Sequence, residues 1–249
     1  MIACNETPAA EEDGDTNITA PDDQGDDDDN GGGNMDDDDD DDDDPEQPPV
    51  ENKGLKFWLA SDGESYCVAI GICTDTDIVI PDSYDGKPVT TIGADGFMRS
   101  KVMSVLLPDT ITTIGPRAFY DCNYLFSVNI PDGVTDIGRQ AFAYTMISSA
   151  VLPESVTYID SLTFYGCSNL EEVVIPNTVT EILSGAFLRC AKLKDIRFKG
   201  TTEEWGAIAK GGAWDCEEVF NTDTLDYDYL QRAYTVHCTN GYIAIERDQ

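Results

Sequence analysis

The chain has 249 residues, with 49 acidic and 15 basic side chains, so its formal net charge is -34. A charge of this size repels phosphate backbones and anionic lipid surfaces, which argues against nucleic-acid binding and peripheral membrane binding. No apolar run approaches the ~20 residues of a membrane span. The single histidine excludes any site that needs two. The length is enough for one domain of ~150–200 residues and a tail.

The acidic residues are concentrated at the N-terminus. Residues 1–50 hold 21 acidic residues and no lysine, arginine or aromatic residue, and they include nine consecutive aspartates, Asp36–Asp44. Such a segment cannot bury enough apolar surface to offset its ordering entropy, so we predict a disordered, extended acidic tether over 1–53. A weak calcium-binding segment is the alternative, although the spaced ligands of an EF-hand loop are missing.

The first four residues end in Ala3 and Cys4 and are followed by a polar stretch. This pattern resembles the end of a bacterial lipoprotein signal, in which the peptidase cleaves before the cysteine and a lipid is attached to its sulfur. Cys4 is therefore the predicted lipid anchor, and an unmodified cysteine in the tether is the alternative. A lipid at this position would hold a folded domain away from the cell surface.

Residues 54–80 are predicted to form an N-terminal β cap. Two runs of alternating apolar residues, Leu55–Leu59 and Tyr66–Ile70, predict a hairpin that leads into the rest of the domain. Cys67 and Cys73 lie in or beside this hairpin. They form a disulfide in an oxidising compartment or remain as thiols, and the sequence leaves both alternatives open.

A repeat of 22–23 residues occupies 81–200. Each copy has a Val/Ile-Thr-x-Ile unit before a phenylalanine, and an apolar-Pro pair follows the first four phenylalanines. One such unit has too little apolar surface to fold alone, whereas stacked units share a continuous core. We therefore predict an α/β repeat fold, a leucine-rich-repeat-type solenoid of about five units. Its phenylalanines are Phe97, Phe119, Phe142, Phe164 and Phe187.

Each unit is predicted to contain two strands. Residues 125–130 have the L-x-x-V-x-I spacing of a leucine-rich repeat strand, and alternation along it buries Val128 and Ile130 and exposes Ser127 and Asn129. The proline that follows ends this strand because it cannot donate to a ladder. The Val-Thr-x-Ile unit is predicted to form the second, shorter strand, and the phenylalanine to lie on a short helical turn.

Glycines follow the second strand in the first three copies, at Gly93, Gly115 and Gly138. We expect them at turn positions that need a positive φ angle. Asp160 and Leu183 stand at the equivalent positions of the later copies, which predicts a different turn there.

Three cysteines follow the repeat register, each three residues after a phenylalanine: Cys122, Cys167 and Cys190. The two copies with a shorter segment between phenylalanine and strand end have Ser100 and Thr145 there instead. Parallel stacked side chains have poor disulfide geometry, and three thiols without a nearby histidine give no complete zinc site. We therefore interpret the three cysteines as small buried apolar residues.

Residues 201–249 are predicted to form a C-terminal cap of a helix and a hairpin. Thr201 or Thr202 can cap the helix, with glutamates in its first turn. The Asn240-Gly241 pair between two alternating runs predicts the hairpin turn. Cys216 and Cys238 are a candidate disulfide pair within this cap.

The combination of Val-Thr-x-Ile-Gly, Ala-Phe-x-x-Cys and strand-Pro at this period resembles the BspA-like leucine-rich repeat family of bacterial surface proteins. Residues 71–81 resemble the family's lead-in, and residues 200–205 and 235–241 resemble its C-terminal closure. The resemblance covers roughly 54–245 and leaves 217–233 as an insertion. It implies an extracellular, non-catalytic binding or adhesion module that is often tethered to the cell, and it supplies no ligand.

No catalytic constellation is recognisable in the sequence, so we predict that the protein is not an enzyme. His237 lies inside a predicted strand, where the neighbouring Cys238 would point to the opposite face. The chain has no nucleophile-elbow, P-loop or dinucleotide-binding motif. Acidic pairs such as Glu171-Glu172 are better explained as solvated charges than as the carboxylates of a glycoside hydrolase.

The outward positions of the first strand in each unit form the predicted ligand-binding surface. It contains three equivalent apolar residues, which are either a recognition strip or a result of β-propensity, and the register places no aromatic residue there. The predicted surface residues are Ser104, Leu106, Ser127, Asn129, Ser149, Val151, Glu172, Val174, Asp195 and Arg197.

These features predict a monomeric bacterial surface lipoprotein that binds a protein ligand, such as a host matrix or surface protein, for adhesion. We expect no cofactor or metal, no nucleic-acid partner, and membrane contact only through the N-terminal lipid. A glycan-capture or accessory module of an extracellular degradation system is the alternative. A secreted hydrolase that uses Glu172 and Asp195 is a third hypothesis.

Overall fold

The computed structural model of the chain describes residues 53–221, 226–231 and 233–246. The predicted tether, the lipid anchor at Cys4 and the alternative of a calcium-binding segment lie outside these residues. Within the described ranges, no helix has the length and apolar character that would let it cross a bilayer.

The described residues are mostly short strands, with one helix near the C-terminus. The elements are β1 (Lys56–Leu59), β2 (Tyr66–Ala69), β3 (Asp77–Val79), β4 (Ser83–Tyr84), β5 (Lys87–Ile92), β6 (Ser104–Leu106), β7 (Thr113–Ile114), β8 (Ser127–Val128), β9 (Asp136–Ile137), β10 (Ser149–Val151), β11 (Tyr158–Ile159), β12 (Glu172–Ile175), β13 (Glu181–Ile182), β14 (Asp195–Phe198), α1 (Thr202–Ala207), β15 (Ala209–Lys210), β16 (Glu217–Asn221), β17 (Asp226–Leu230), β18 (Tyr234–Cys238) and β19 (Gly241–Ile245).

Both predicted strands of the repeat form parallel ladders, so the protein is a β-solenoid. The first strands of the units pair in the orders β3-β6-β8 and β10-β12-β14-β18-β19. The Val-Thr-x-Ile strands β5, β7, β9, β11 and β13 lie in two sheets that strands of the caps extend, in the orders β1-β2-β5-β7-β9 and β11-β13-β15. Equivalent residues of neighbouring units pair directly, for example Glu172 with Asp195, which confirms the register that the sequence predicts.

The core of the solenoid contains a stack of the five repeat phenylalanines. All five rings are fully buried, and neighbouring ring centroids lie 5.3–5.5 Å apart with the rings nearly parallel. Each phenylalanine N–H donates to a carbonyl of the following unit, for example from Phe119 to Ala141. The segments that carry these residues are hydrogen-bonded turns without a regular helix, so the predicted short helical turns do not form.

The prediction that the repeat glycines need a positive φ angle is wrong. The turns do contain left-handed residues, but these are non-glycine residues such as Asp95 and Arg117. Gly115 and Gly138 have no positive φ angle, and their hydrogens face the backbone of the preceding unit. A Cβ atom at Gly138 would lie 2.6 Å from the nitrogen of Pro116. Close packing between units is therefore what requires glycine at these two positions.

The N-terminal cap is the predicted antiparallel hairpin, in which β1 pairs with β2 and Lys56 lies opposite Ala69. Cys73 has a free thiol, which excludes a disulfide between Cys67 and Cys73. The structure adds a second, unpredicted hairpin, β4–β5, whose turn residues Asp85 and Gly86 both have positive φ angles. The Asp-Gly pair is a sequence signature of such turns and could have identified it.

The solenoid has a sixth turn that the count of about five units does not include. In this turn β15 continues the Val-Thr-x-Ile ladder, and the ring of Trp214 packs edge-on against Phe187 with the ring centroids 6.2 Å apart. The hydrogen bond from Phe187 N–H to Trp214 O places Trp214 one position before the phenylalanine of the other copies. The strand β18 then pairs with β14. The periodicity is hidden because α1 is inserted before β15, and the antiparallel hairpin β16–β17 is inserted before β18.

The helix of the C-terminal cap begins where the sequence predicts. Thr201 is its N-cap, and a capping box joins Thr201 and Glu204. The predicted hairpin also forms, but its turn is Thr239-Asn240, so Gly241 is the first residue of β19. The candidate disulfide between Cys216 and Cys238 does not form.

Candidate functional surface

The outer face of the sheet β10-β12-β14-β18-β19 carries two rows of aligned side chains. The first row contains five residues in register across the strands: Val151, Val174, Arg197, His237 and Tyr242. The second row runs alongside it: Ser149, Glu172, Asp195, Thr235 and Ala244. Six predicted surface residues, from Ser149 to Arg197, therefore lie together on one face. Strands of the C-terminal cap extend this face, and the remaining four residues of the two rows come from them.

One ion pair and one histidine–carboxylate hydrogen bond cross between the rows. Arg197 Nε lies 2.8 Å from Glu172 Oε1, and His237 Nε2 lies 3.2 Å from Asp195 Oδ1. All four side chains remain partly accessible to solvent, so each pair contributes little to folding stability. The same charges are therefore free to exchange partners with a ligand that docks on the face.

The N-terminal part of the predicted surface is a separate sheet. Ser104, Leu106 and Ser127 lie on β3-β6-β8, and no ladder joins β8 to β10 in the part of the chain that the structure describes. The predicted surface residues therefore lie on two sheets, although the units remain joined beside the break by the hydrogen bond from Met146 N to Leu125 O. In the copy of the repeat that contains β10, the segment between the phenylalanine and the strand is one residue shorter than in the preceding copy. This shorter segment is the sequence feature that accompanies the break.

Asn129 is exposed, as the sequence predicts, but its side-chain amide is hydrogen-bonded to the neighbouring unit. Its Oδ1 accepts a hydrogen bond from Leu107 N at 2.6 Å, and its Nδ2 donates to Leu107 O at 2.8 Å. The side-chain amide thus replaces a strand pairing that β8 is too short to make. Asn129 therefore supports the scaffold as well as lying on the predicted surface.

Exposed aromatic side chains lie on or beside the strand faces, contrary to the expectation that there are none. Tyr242 is 71% exposed on the outer face beside His237. Tyr124 and Phe126, immediately before β8, are 55% and 48% exposed. The repeat pattern did not identify Tyr242 because β19 runs antiparallel outside the repeat. The Asn-Gly hairpin signature was the available indication that another strand joins this sheet.

The apolar strip of the predicted surface is uneven. Leu106 and Val151 are 56% and 58% exposed, whereas Val174 is half-buried between its neighbours. Val151 and Val174 pair directly, and Leu106 lies on the other sheet. A ligand that uses apolar contacts on the larger sheet therefore meets Val151 first, at the end of the row that continues to Arg197.

The repeat cysteines are buried as predicted, but their thiols also make hydrogen bonds. Cys122, Cys167 and Cys190 donate to the carbonyls of a phenylalanine in an earlier unit, at 2.9–3.0 Å. Thr145 Oγ1 makes the equivalent contact within its own turn, to Phe142 O at 2.9 Å. The alternation of cysteine with serine or threonine in this column is explained by the shared ability to donate a hydrogen bond.

Burial of these thiols predicts a selective pattern of chemical reactivity. Burial raises the pKa of Cys167 to about 11, and it also raises the pKa of Cys122. The reactive thiolate is therefore scarce at both positions at pH 8. Burial also raises the pKa of Cys238, but this side chain is only half-buried and is accessible to a reagent. We therefore expect iodoacetamide to modify Cys238 in the native protein, and to reach Cys167 only after unfolding. Peptide mass spectrometry of labelled native and denatured samples measures this, and fast native labelling of Cys167 would contradict it.

No arrangement on the described surface resembles an active site. A shallow depression of about 390 Å³ lies on the turn side of the solenoid, lined by Asp95, Arg117 and Arg139 among others. The guanidinium of Arg117 is held by Asp95, with Nε 2.7 Å from Oδ1. Among the described residues, no group of three His, Cys, Asp or Glu side chains is placed to hold a metal ion.

Solved structures of bacterial leucine-rich repeat proteins resemble this fold. A leucine-rich cell surface protein from Faecalibacterium prausnitzii is 28% identical, with a TM-score of 0.57, and the match covers 63% of this chain and 41% of that protein. The chain thus spans about two fifths of this relative. The Treponema pallidum leucine-rich repeat protein has a similar fold at 22% identity, with a TM-score of 0.52 and coverage of 72% of this chain and 92% of that one. A comparison with curated proteins finds no match.

A family model supports the same assignment from the sequence. The model of the BspA type leucine-rich repeat region matches residues 90–209 in six copies. The six copies agree in number with the solenoid turns, and the match ends at the first residue of β15. The solenoid carried by this chain belongs to the BspA-type leucine-rich repeat family.

Proposed function

We propose that this is a non-catalytic surface protein that binds a protein ligand, for adhesion to host or neighbouring cells, through the outer face of β10-β12-β14-β18-β19. The observation that carries the proposal is the continuity of this face over five strands, with two aligned rows of accessible side chains. Membership of a leucine-rich repeat family supports a binding role over a catalytic one.

The chemistry of the two rows suits a protein partner. The first row begins with apolar Val151 and Val174 and ends with the aromatic ring of Tyr242, and the Glu172–Arg197 and Asp195–His237 pairs lie between them. Apolar and aromatic contacts with surrounding charge pairs are typical of protein interfaces. The charges would fix the orientation of a bound protein more than they would add affinity.

Extracellular location and tethering are part of the proposal. The F. prausnitzii relative is described as a cell surface protein, and residues 1–50 of this chain have a composition that suits an extended spacer. We propose that Cys4 carries the lipid that anchors this spacer. The folded part is much less acidic, since residues 51–249 contain 28 acidic and 15 basic residues, so the tether would not impose its charge on the binding face.

The proposal can be tested by binding of the full chain to a panel of purified extracellular-matrix glycoproteins, measured by surface plasmon resonance. The test variant combines Val174→Glu with Arg197→Glu. We expect it to weaken binding at least tenfold, because both substitutions lie on the central strands of the face. The matched control is Arg99→Glu, an equivalent charge reversal on the turn side, where Arg99 pairs with Asp121. Equal losses in the two variants, or none in either, would contradict the proposed face.

Glycan capture remains the second candidate because of one observation. Tyr242 presents an exposed ring next to His237 and near Asp195, and an exposed ring beside hydrogen-bonding groups can stack on a sugar. On a glycan array, Tyr242→Ala would abolish binding if this function is correct. If the protein-binding proposal is correct instead, the array stays blank for both the wild type and Tyr242→Ala.

A further inference from the structure

The last strand of the larger sheet has a free edge. In the regions that the structure describes, β19 pairs with β18 on one side and with no strand on the other. Cys238 and Gly241 pair across a two-residue turn, so they form a hydrogen-bonded pair, and such pairs alternate along an antiparallel hairpin. The backbone groups of Gly241 therefore face β18, and those of Tyr242 and Ala244 point away from the sheet.

Four backbone groups are thus exposed in a row, namely the N–H and C=O groups of Tyr242 and Ala244. No described residue makes a hydrogen bond to them. Both residues are exposed, and their side chains lie on the outer face, while Ile243 and Ile245 are half-buried on the inner face. The edge is therefore accessible and held in strand geometry by the packing of its two isoleucines.

Strand edges of this kind are usually protected, and in β19 the helix α1 contacts the strand near Gly241. Other common protections are missing. The strand contains no proline and no charged residue, and its register with β18 is regular over all five pairs, without a bulge. A regular strand edge with free donors and acceptors is the template that proteins use to bind an extended peptide by strand addition.

Charge identifies the kind of strand that fits. Glu203 of α1 accepts a hydrogen bond from Asn240 Nδ2 at the start of the edge, and Glu246 is exposed at its end. A second copy of this chain would bring another net charge of -34, and its own β19 has no basic residue to offset these carboxylates. A strand with basic residues at both ends would pair with them.

We propose that the edge of β19 binds, by β-strand addition, an extended segment of a partner protein with β-branched residues at its centre and lysine or arginine at both ends. The added strand would continue the rows of the outer face, since its alternate side chains would lie beside Tyr242 and Ala244. This site goes beyond the proposed function, which uses the face of the sheet and does not require its edge.

The test uses the full chain and synthetic fluorescent peptides. The strand probe has the central sequence Thr-Val-Thr-Val-Thr with two lysines at each end. The control probe has Thr-Pro-Thr-Pro-Thr between the same lysines, so that it keeps the charge but cannot form a ladder. Both probes are attracted equally by the acidic N-terminal segment, and therefore only the difference between their affinities reports strand addition.

We expect the strand probe to bind at least tenfold more tightly than the proline probe in fluorescence anisotropy titrations. We also expect it to slow amide hydrogen exchange at Tyr242 and Ala244 at least tenfold, which binding to the acidic segment would not do. The variant Ala244→Pro removes an N–H group that points away from the sheet, and it should abolish the difference in affinity between the strand probe and the proline probe. The double variant Glu203→Lys with Glu246→Lys should weaken binding of the strand probe and strengthen binding of a probe with glutamates at both ends.

Equal affinity of the strand and proline probes, or unchanged exchange at Tyr242 and Ala244 at saturation, would overturn the proposal. A concentration-dependent dimer in sedimentation that Ala244→Pro dissociates would also overturn it, because a second copy would then be the occupant. The outcome is independent of the face proposal, since Val174→Glu with Arg197→Glu should leave binding of the strand probe within twofold.

Discussion

Replacing Phe142 with alanine should lower the free energy of unfolding by about 3–5 kcal/mol, the usual cost of removing a buried aromatic side chain. Phe142 is at the centre of the stack, 5.5 Å from the ring centroids of both Phe119 and Phe164. A neighbouring ring cannot move to fill the cavity that the substitution leaves, because the backbone N–H of each phenylalanine is hydrogen-bonded to the next unit. Equilibrium denaturation with guanidinium chloride, followed by circular dichroism, measures the change.

The matched control for this substitution is Phe126→Ala, which removes the same side chain from an exposed position. We expect a change within about 0.5 kcal/mol, as is usual for surface substitutions. Because each unit of a solenoid contacts only its neighbours, Phe142→Ala should also broaden the transition as the two halves lose coupling. Equal effects of the two substitutions would contradict the phenylalanine stack as the basis of stability.

Gly138→Ala should destabilise the protein by about 1–3 kcal/mol, the range for forcing an extra group into a packed interior. The added methyl group would lie 2.6 Å from Pro116 N and 2.9 Å from Pro116 Cα. Backbone atoms of the preceding unit cannot move aside as a flexible side chain would, so the spacing between two units has to change. Thermal and guanidinium denaturation would both report the loss.

The control is Gly206→Ala in α1, where a Cβ atom would meet nothing within 4 Å. Alanine is favoured over glycine in a helix by roughly 0.8–1.0 kcal/mol, so this substitution should leave stability unchanged or raise it. The two glycine substitutions are therefore expected to have opposite signs. A neutral effect of Gly138→Ala would mean that the units are not in the close contact described above.

The repeat could be predicted because stacking makes every unit obey the same constraints. Phenylalanines at a fixed period, a Val-Thr-x-Ile strand and a proline at the strand end each correspond to one position in the solenoid turn. The sixth turn was hidden because its aromatic ring, that of Trp214, comes from the position before the phenylalanine of the other copies, and because α1 changes the spacing. A search for phenylalanine at a fixed period detects neither change.

The glycine prediction failed because a sequence does not distinguish two reasons for lacking a side chain. The sequence interpretation explains Gly115 and Gly138 by a need for positive φ angles. In the structure a Cβ atom at either position would instead lie too close to backbone atoms of the preceding unit. The left-handed turn positions instead hold residues such as Asp95, Arg117 and Gln140. Regular hydrogen bonds to the next unit hold these turns, for example from Arg117 N to Arg139 O, and so offset the conformational cost.

The predicted surface forms one sheet where the strands are long and is interrupted where they are short. From Ser149 to Arg197, alternation and register placed the side chains correctly, because β10, β12 and β14 pair residue by residue. Near Asn129 the strand has only two residues, and a side-chain amide takes over the pairing. His237 and Tyr242 were not predicted because the rows continue into a cap whose order in the sheet is set by tertiary contacts.

The most direct test of the account is an amide hydrogen-exchange footprint of a bound matrix glycoprotein on the full chain. The account predicts slower exchange in β12, β14 and β18, with no change in the turn segments that carry Asp95 and Arg117 on another side of the solenoid. Protection confined to those turn segments, with unchanged exchange in the three strands, would contradict a binding role for the outer strand face.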